Sequence, residues 1–288
     1  FAALRDLIKA HTGIALSEHK RSLVASRLGK RLRALGFPSF HAYCGHLAAE
    51  AGRPELEHFI NAITTNKTDF FREPAHFEFL QSQVLPALRA QAARGQERRV
   101  RIWSAACSTG EEPYTIAITL REGLEPLAAW DVRILASDID TQVLRQAAAG
   151  IYPVERVAGI RPFLVQRHFL RGTGSREGFV RVREEVRRLV TFRRINLLEE
   201  PWPIRTRFRC IFCRNVLIYF DQATQRRLIG RLADHLAAGG YLFLGHSELL
   251  HGLSDDFDYV RTTIYRRRDA AGREARSEEH TSELQSHG

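Results

Sequence analysis

RVRIWSAACSTGEEPYTIAITL, residues 99–120, combines three local patterns. Residues 99–106 end in a short apolar run that contains a tryptophan, which is typical of a buried strand. Residues 107–110 are all small, which predicts a tight turn. The next residues have apolar side chains at helical spacing, with Pro113 in the first turn, where a helix accepts it. Strand, turn and helix in this order predict an open α/β sheet that binds a nucleotide-like ligand beyond the carboxyl end of the strand.

This turn differs from the turn of dinucleotide-binding proteins. It contains one glycine, Gly110, instead of three, and the helix begins with Glu111 and Glu112. A pyrophosphate requires free backbone N–H groups at a positively polarised helix end, so two carboxylates there disfavour it. They favour a ligand that offers hydroxyl groups and positive charge, as S-adenosylmethionine does. An ordinary strand–helix corner with an acidic first helical turn is the alternative interpretation.

Composition limits the class of protein. The 288 residues are 44% hydrophobic and 26% charged, which is typical of one large or two modest globular domains. No apolar run approaches the roughly 20 residues that a membrane span needs, so we expect no membrane insertion. Four cysteines in core-like or turn contexts suit a reducing cytoplasm, which is the expected localisation. The formal net charge of +10 favours nucleic acid, an anionic membrane face or an acidic protein as partner.

Both ends of the sequence are unusual. The chain contains no methionine, so we expect that some N-terminal residues are missing. Residues 276–288 resemble a translated sequencing adapter more than a protein, and we expect them to be a non-native tail.

Residues 1–63 are expected to form an all-helical N-terminal domain. Apolar residues recur at helical spacing, most clearly over residues 23–35. Beside that apolar stripe, Lys20, Arg27 and Arg31 are expected to form a basic strip. Such a strip is either a solvated helix surface or a docking surface for an acidic helix or for phosphate.

Residues 64–98 are predicted to be a linker and an active-site lip. Asn66 and Thr68 belong to a polar cluster that is unfavourable inside a helix but suitable for capping and for hydrogen bonds to a ligand. Arg72 directly follows two phenylalanines that would anchor it. An interdomain hinge followed by a capped helix is the alternative.

Residues 99–270 alternate strands with helices, which predicts a mainly parallel sheet covered on both faces. The carboxyl ends of parallel strands meet at one edge. Polar residues near these ends should therefore converge there: Glu112, Asp138, Asn196, Asn215 and Tyr219. Residues 159–192 interrupt the alternation and are rich in arginine. Their two alternating runs, at 179–182 and 189–192, predict a small antiparallel insertion used for recognition.

A C-x-x-C pattern at Cys210 and Cys213 raises the question of a metal or redox site. The pair lies inside an apolar strand, with no second pair and no histidine nearby in sequence. Structural zinc sites need four ligands, so we expect no metal here.

Six motifs occur in the order typical of the chemotaxis receptor methyltransferases of the CheR family, which the chain resembles over about residues 1–268. They are TTNKTDFFRE at 64–73, WSAACSTGEEPY at 103–114, ASDID at 136–140, NLL at 196–198, FCRNVLIYFD at 212–221 and GHSE at 245–248. Several are long and unusual, so the resemblance is far more specific than one glycine motif. Cys107 stands where many members have alanine, which is a small departure.

The resemblance implies a Rossmann-like S-adenosylmethionine-dependent methyltransferase domain with an inserted β-subdomain, preceded by a helical domain. The implied activity is protein-glutamate O-methylation: methyl transfer from S-adenosylmethionine to glutamate side chains in chemoreceptor cytoplasmic helices, for chemotactic adaptation. The implied cofactor contacts are Asn66, Thr68, Arg72, Glu112, Asp138, Asn196, Leu197, Arg214 and Asn215. Arg72 and Tyr219 match family positions beside the reacting methyl group, and no metal is expected.

The resemblance also implies that two surfaces bind the receptor. Lys20, Arg27 and Arg31 would run along a glutamate-rich receptor helix. The inserted β-subdomain is similar to those of members that bind a short peptide at the receptor C-terminus. We expect a monomer that binds no nucleic acid.

Three alternatives stay open. A nucleic-acid methyltransferase would explain the charge, but base-amino enzymes usually carry an N-P-P-Y type loop where this chain reads RNVLIYF, residues 214–220. A non-enzymatic adaptor that binds the cofactor and docks on receptors is disfavoured by the presence of Arg72 and Tyr219. An enzyme that methylates some other acidic protein is compatible with the sequence.

Overall fold

Helices make up the N-terminal part of the chain in the computed structural model, which describes residues 1–269. They are α1 (Ala2–Thr12), α2 (Arg21–Leu35), α3 (Phe40–Ala48) and α4 (Arg53–Ile63). Glycine in the left-handed conformation ends α2 at Gly36 (φ 73°), and the Ser39 hydroxyl accepts the Ala42 N–H at the start of α3. The apolar faces enclose a core of their own, with Ile8, Leu28 and Phe59 fully buried.

A long helix connects this unit to the sheet. It begins as α5 (Ala75–Phe79), continues through a π-helical segment (Leu80–Val84) and ends as α6 (Leu85–Ala93). Its apolar side chains, including Phe77, pack on one face of the central sheet.

Strands and helices then alternate as the sequence predicts. The strands are β1 (Arg99–Ala105), β2 (Asp131–Asp138), β3 (Ile151–Pro153), β4 (Phe169–Arg171), β5 (Phe179–Val182), β6 (Val190–Arg194), β7 (Phe208–Cys213), β8 (Leu236–Leu244), β9 (Phe257–Arg261) and β10 (Ile264–Arg267). The helices are α7 (Glu111–Gly123), α8 (Thr141–Ala149), α9 (Pro162–His168), α10 (Glu184–Arg187) and α11 (Gln222–His235).

Seven strands form the central sheet in the order β6-β2-β1-β7-β8-β10-β9. The first five run parallel, and β10 pairs antiparallel with both β8 and β9. Alternate side chains of β1 enter separate cores on the two faces: Ile102 on one, Trp103 on the other. The strand order reverses between β1 and β7, and this is the place where open α/β sheets bind ligands.

A separate three-stranded antiparallel sheet, in the order β3-β5-β4, forms the inserted subdomain. The assignment of residues 189–192 to this insertion is wrong, because Val190–Arg194 is β6 and pairs in parallel with β2 at the edge of the central sheet. The alternating pattern misled because a half-buried edge strand shows the same period as an antiparallel strand.

No helix within residues 1–269 combines the length and hydropathy needed to cross a bilayer. The four cysteines are free and buried. Burial raises the pKa of Cys210 to about 12, so its thiol stays protonated and unreactive.

Candidate active site

A cavity of about 570 Å³ lies between the carboxyl ends of the central strands and the N-terminal helices. Its wall is formed on one side by the ends of β1, β2 and β7 and the loops that follow them, and on the other by α2 and the segment before it. The cavity brings together every site residue that the sequence analysis named: Asn66, Thr68, Arg72, Glu112, Asp138, Asn196, Leu197, Arg214, Asn215 and Tyr219.

The turn after β1 has an unusual backbone. Ala106, Ser108 and Gly110 have φ angles of 136°, 48° and 95°, so the chain reverses tightly before α7. A Cβ at Gly110 would lie 2.8 Å from the Ala147 side chain, which requires glycine there. The Ser108 hydroxyl donates to the backbone oxygen of Asn66 (2.9 Å), and this bond joins the turn to the lip.

Asp138, at the end of β2, faces the cavity. Its carboxylate accepts the N–H of Ser108 (2.8 Å) and of Asp140 (3.0 Å). Burial raises the pKa of Asp138 to about 6, against the opposing effect of these two N–H donors. At neutral pH Asp138 is therefore an ionised acceptor whose orientation is fixed before any ligand binds.

An ion pair between Arg214 and Glu112 crosses the floor of the cavity. The guanidinium Nη1 lies 3.0 Å from Glu112 Oε2, and the Ser104 hydroxyl donates to Glu112 Oε1 (2.7 Å). The same guanidinium lies 3.3 Å from Glu73 Oε2 and donates to the backbone oxygen of Arg72. Burial raises the pKa of Glu112, and Arg214 opposes that shift. Arg214 thus connects strand β7, helix α7 and the lip.

Contacts to Asp140 hold the lip in place. Its Oδ2 accepts the Asn66 amide and the Thr64 hydroxyl, both at 2.8 Å. Its Oδ1 accepts the N–H groups of Gln142 (2.8 Å) and Val143 (3.2 Å) in the first turn of α8. Further along the lip, Arg72 Nη1 donates to the backbone oxygen of Lys67 (2.9 Å), which leaves the remaining guanidinium donors at the cavity.

Tyr219 lies in a short 3₁₀ turn, Leu217–Tyr219, after β7. The segment between α1 and α2 contacts it directly. Ala15 N–H donates to the Tyr219 backbone oxygen (2.8 Å), and Lys20 Nζ lies 5.4 Å from the centre of the Tyr219 ring. Sequence reasoning placed Lys20 on a separate docking surface and missed this contact, because no local pattern links residues so far apart.

The expected basic strip divides into two parts. Lys20 and Arg27 line the cavity, and Arg27 Nη1 also donates to the backbone oxygens of Ile63 (2.9 Å) and Thr64 (2.8 Å). Arg31 instead forms a bidentate ion pair with Glu55 inside the helical unit. The expectation of three equivalent surface cations is therefore wrong for Arg31.

The loop after β6 supplies a further part of the wall. The Asn196 side chain donates to the backbone oxygen of His11 (2.9 Å), so it joins the two units. Arg231 donates to the backbone oxygen of Leu197 (2.8 Å) and lies 3.8 Å from the centre of the Trp202 ring. These contacts fix the backbone that presents Leu197 to the cavity.

The chemical character of the cavity suits S-adenosylmethionine. Asp138 offers an ionised acceptor for ribose hydroxyl groups, and Glu112 adds a second carboxylate. Apolar side chains such as Ile139 and Leu197 provide a surface for a flat base. Among residues 1–269, no group of three or more His, Cys, Asp or Glu side chains is arranged to hold a metal ion.

Two carboxylates beside the cavity, Glu73 and Glu248, received no role from the sequence. Both lie in motifs of the resemblance, TTNKTDFFRE and GHSE, and that membership was the signal that the sequence offered. Ser108 was also missed, since its contribution to the site is made largely through its backbone N–H.

Comparison with known proteins finds two family models that together match residues 1–64 and 66–266. The family model described as "CheR methyltransferase, SAM binding domain" matches residues 66–266, and "CheR methyltransferase, all-alpha domain" matches residues 1–64. Chemotaxis protein methyltransferase 2 of Pseudomonas aeruginosa is 49% identical over 267 residues, which cover 92% of this chain and 91% of that protein.

Two enterobacterial relatives are similar over the same part of the chain. The chemotaxis protein methyltransferase of Salmonella typhimurium is 45% identical over 265 residues, covering 92% of this chain and 88% of that protein. The Escherichia coli protein of the same name is 44% identical over 266 residues, covering 92% and 89%. The chain therefore belongs to the CheR methyltransferase family and is an S-adenosylmethionine-dependent methyltransferase.

Proposed function

We propose that this enzyme transfers the methyl group of S-adenosylmethionine to glutamate side chains in the cytoplasmic helices of chemoreceptors, forming methyl esters for chemotactic adaptation. The observation that carries the proposal is the distribution of charge around the cavity. The carboxylates Glu112 and Asp138 are buried on the sheet side, whereas Lys20 and Arg72 are partly exposed on the helical side and the lip. Cations at the opening favour an acidic protein substrate.

The acceptor needs little chemical activation. A glutamate side chain has an ordinary pKa near 4.3, so it is already a carboxylate at neutral pH and requires no general base. S-adenosylmethionine supplies an electrophilic methyl group on a sulfonium. The remaining task for the protein is to remove water and align the acceptor oxygen, and such alignment can supply roughly 7–11 kcal/mol.

Arg72 and Tyr219 are the proposed catalytic residues. The free donors of Arg72 would orient the acceptor carboxylate through charge-assisted hydrogen bonds, which are stronger than neutral ones. The methyl ester is neutral, so that attraction weakens when product forms. The proposed cofactor contacts are Asn66, Thr68, Arg72, Glu112, Asp138, Asn196, Leu197, Arg214 and Asn215.

Two surfaces would bind the receptor. Lys20 and Arg27 lie where an acidic helix would approach the cavity, while Arg31 serves the internal ion pair with Glu55. The inserted sheet presents an exposed apolar face, including Ile151 and Phe179, that would accept a receptor C-terminal peptide. In this proposal the enzyme acts as a monomer in the cytoplasm.

A methyl-transfer assay with purified receptor cytoplasmic fragment tests the proposal. We expect base-labile methyl esters on glutamate, and none on a fragment whose methylated glutamates are replaced by alanine. Tyr219→Phe should lower kcat while the affinity for S-adenosylhomocysteine, measured by calorimetry, stays unchanged. Methylation of unrelated acidic proteins at the same rate, or of nucleic acid, would contradict the proposed substrate.

A further inference from the structure

The turn after β8 contains a buried carboxylate, Glu248, to which the proposed reaction assigns no role. Glu248 is 3% exposed. Its Oε2 accepts the N–H groups of Gly245 (2.5 Å) and Asn215 (2.8 Å), and its Oε1 accepts those of Val216 (2.8 Å) and Ile218 (3.4 Å). Within residues 1–269, every hydrogen bond recorded for this carboxylate comes from a backbone amide.

Three of those amides belong to the loop after β7, which has a backbone that needs support. Asn215 has a left-handed conformation, with φ 59°. A buried backbone N–H without an acceptor costs about 1–3 kcal/mol, so the inward-pointing amides of this loop require a partner. Glu248 supplies that partner with one side chain.

The approach of the two segments is close enough to require glycine. A Cβ at Gly245 would lie 2.2 Å from Asn215 Nδ2 and 2.7 Å from Asn215 N. The absence of a side chain at Gly245 therefore allows the GHSE turn to pack against the loop after β7, where Glu248 accepts the loop's N–H groups.

A second carboxylate holds Asn215 from the other side. Glu73 Oε1 accepts the His246 N–H (3.2 Å) and lies 3.4 Å from the Asn215 side-chain nitrogen, which donates to it. The lip and the GHSE turn thus meet at Asn215. Tyr219 follows four positions later in the same loop, where the Gln225 side chain donates to the backbone oxygen of Leu217 (2.8 Å).

We propose that Glu248 is a positioning residue for methyl transfer, because its carboxylate shapes the backbone of residues 215–218 so that Asn215 and Tyr219 face the cavity together. This inference rests on the proposed roles of Asn215 and Tyr219. Each carboxylate oxygen accepts two N–H groups. A glutamine would turn its own NH₂ donor toward two of them, which breaks the arrangement without changing side-chain size.

Glu248→Gln tests the inference. We expect kcat to fall about 10- to 100-fold, since small displacements of reacting groups have effects of this size. The affinity for S-adenosylhomocysteine should weaken about tenfold in the same variant, as expected when one hydrogen bond from Asn215 to the ligand is lost. Tyr219→Phe should change kcat alone, and Asn215→Ala should change mainly the cofactor affinity. A change of both quantities in Glu248→Gln would therefore show that this residue acts through the loop that carries Asn215 and Tyr219.

Glu55→Gln is the matched control. Glu55 is also a buried carboxylate, 6% exposed, but it bonds Arg31 and Tyr43 within the helical unit and does not line the cavity. It should lower the unfolding temperature while kcat and cofactor affinity stay within twofold of wild type. Hydrogen exchange of the amides of residues 215, 216 and 218 should accelerate in Glu248→Gln and not in Glu55→Gln.

A Glu248→Gln protein that loses thermal stability but keeps wild-type kcat, affinity and loop exchange at a temperature where it is folded would overturn the inference. Failure of the wild type to methylate receptor fragments would instead count against the proposed function. The binding and exchange measurements need no acceptor, so they still decide whether Glu248 positions the loop.

Discussion

The two walls of the cavity differ in how far their polar groups are already bonded within the protein. On the sheet wall, Asp138 accepts two backbone N–H groups, and Glu112 is bonded by Ser104 and Arg214. On the helical wall, Arg27 donates to two backbone oxygens, but Lys20 contacts the Tyr219 ring, with Nζ 5.4 Å from the ring centre. The carboxylates of the sheet wall are thus each held by several hydrogen bonds, whereas the charge of Lys20 on the helical wall is held by a cation–π contact.

This contrast matches two different tasks. A small ligand gains affinity when the groups that bind it are ordered beforehand, because the ordering cost has already been met on folding. A protein partner is first attracted by charge at long range and needs no fixed geometry for that step. We therefore expect substitutions on the sheet wall to change cofactor binding and substitutions on the helical wall to change partner binding.

Breaking the sheet wall should have the largest effect. Arg214→Met leaves Glu112 buried without its cation, since the two side chains are 3% and 11% exposed. We expect the free energy of unfolding to fall by about 3–5 kcal/mol, measured by urea denaturation. The double variant Glu112→Gln, Arg214→Met removes both charges and should lose less. Equal losses would show that the unpaired charge of Glu112 is not what destabilises the single variant.

The pH dependence of cofactor binding is the next largest effect. The pKa of Asp138 is raised to about 6, so lowering the pH through that value protonates the proposed ribose acceptor. One unit below the pKa, about a tenth of the molecules remain ionised. The affinity for S-adenosylhomocysteine should therefore be about tenfold lower near pH 5 than near pH 7, by calorimetry.

Asp138→Asn is the control for that measurement. Asparagine cannot titrate, so this variant should bind more weakly at neutral pH and show a flatter profile. A variant profile as steep as that of the wild type would assign the pH dependence to another group.

Substitutions on the helical wall sharpen the comparison further. Lys20→Glu should raise the KM for receptor fragment about 3- to 10-fold through charge repulsion, with cofactor affinity unchanged. Arg31→Glu should instead lower the unfolding temperature, because it places a second acid beside the buried Glu55. An equal loss of cofactor affinity in Lys20→Glu would remove the distinction between the walls.

The smallest effect is expected where the two units meet at the surface. Arg145 Nη2 lies 3.4 Å from Glu57 Oε1, with the side chains 73% and 42% exposed. Arg145→Ala should lower the free energy of unfolding by less than about 1 kcal/mol and leave kcat unchanged. A larger loss in denaturation would mean that this exposed contact holds the helical unit on the sheet.

Part of the site could be predicted because the alternation of strands and helices is visible in the sequence. A residue at the end of a parallel strand, such as Asp138, must lie at the ligand edge once the alternation of strands and helices is recognised. Arg31 shows the limit, since helical spacing gives the face of a side chain but not the carboxylate that reaches it from another helix. Glu248 shows a second limit, because no spacing rule indicates that a side chain will fold back onto the backbone of a distant loop.

The hydrogen bonds of Asp140 couple the thermal unfolding of the two units. One of its oxygens caps α8 in the sheet unit, and the other holds Thr64 and Asn66 at the end of the helical unit. Loss of either set of bonds weakens the other, so the two units share part of their folding cooperativity. A ligand bound between them is linked to both, and saturation with S-adenosylhomocysteine should therefore merge their unfolding into one transition.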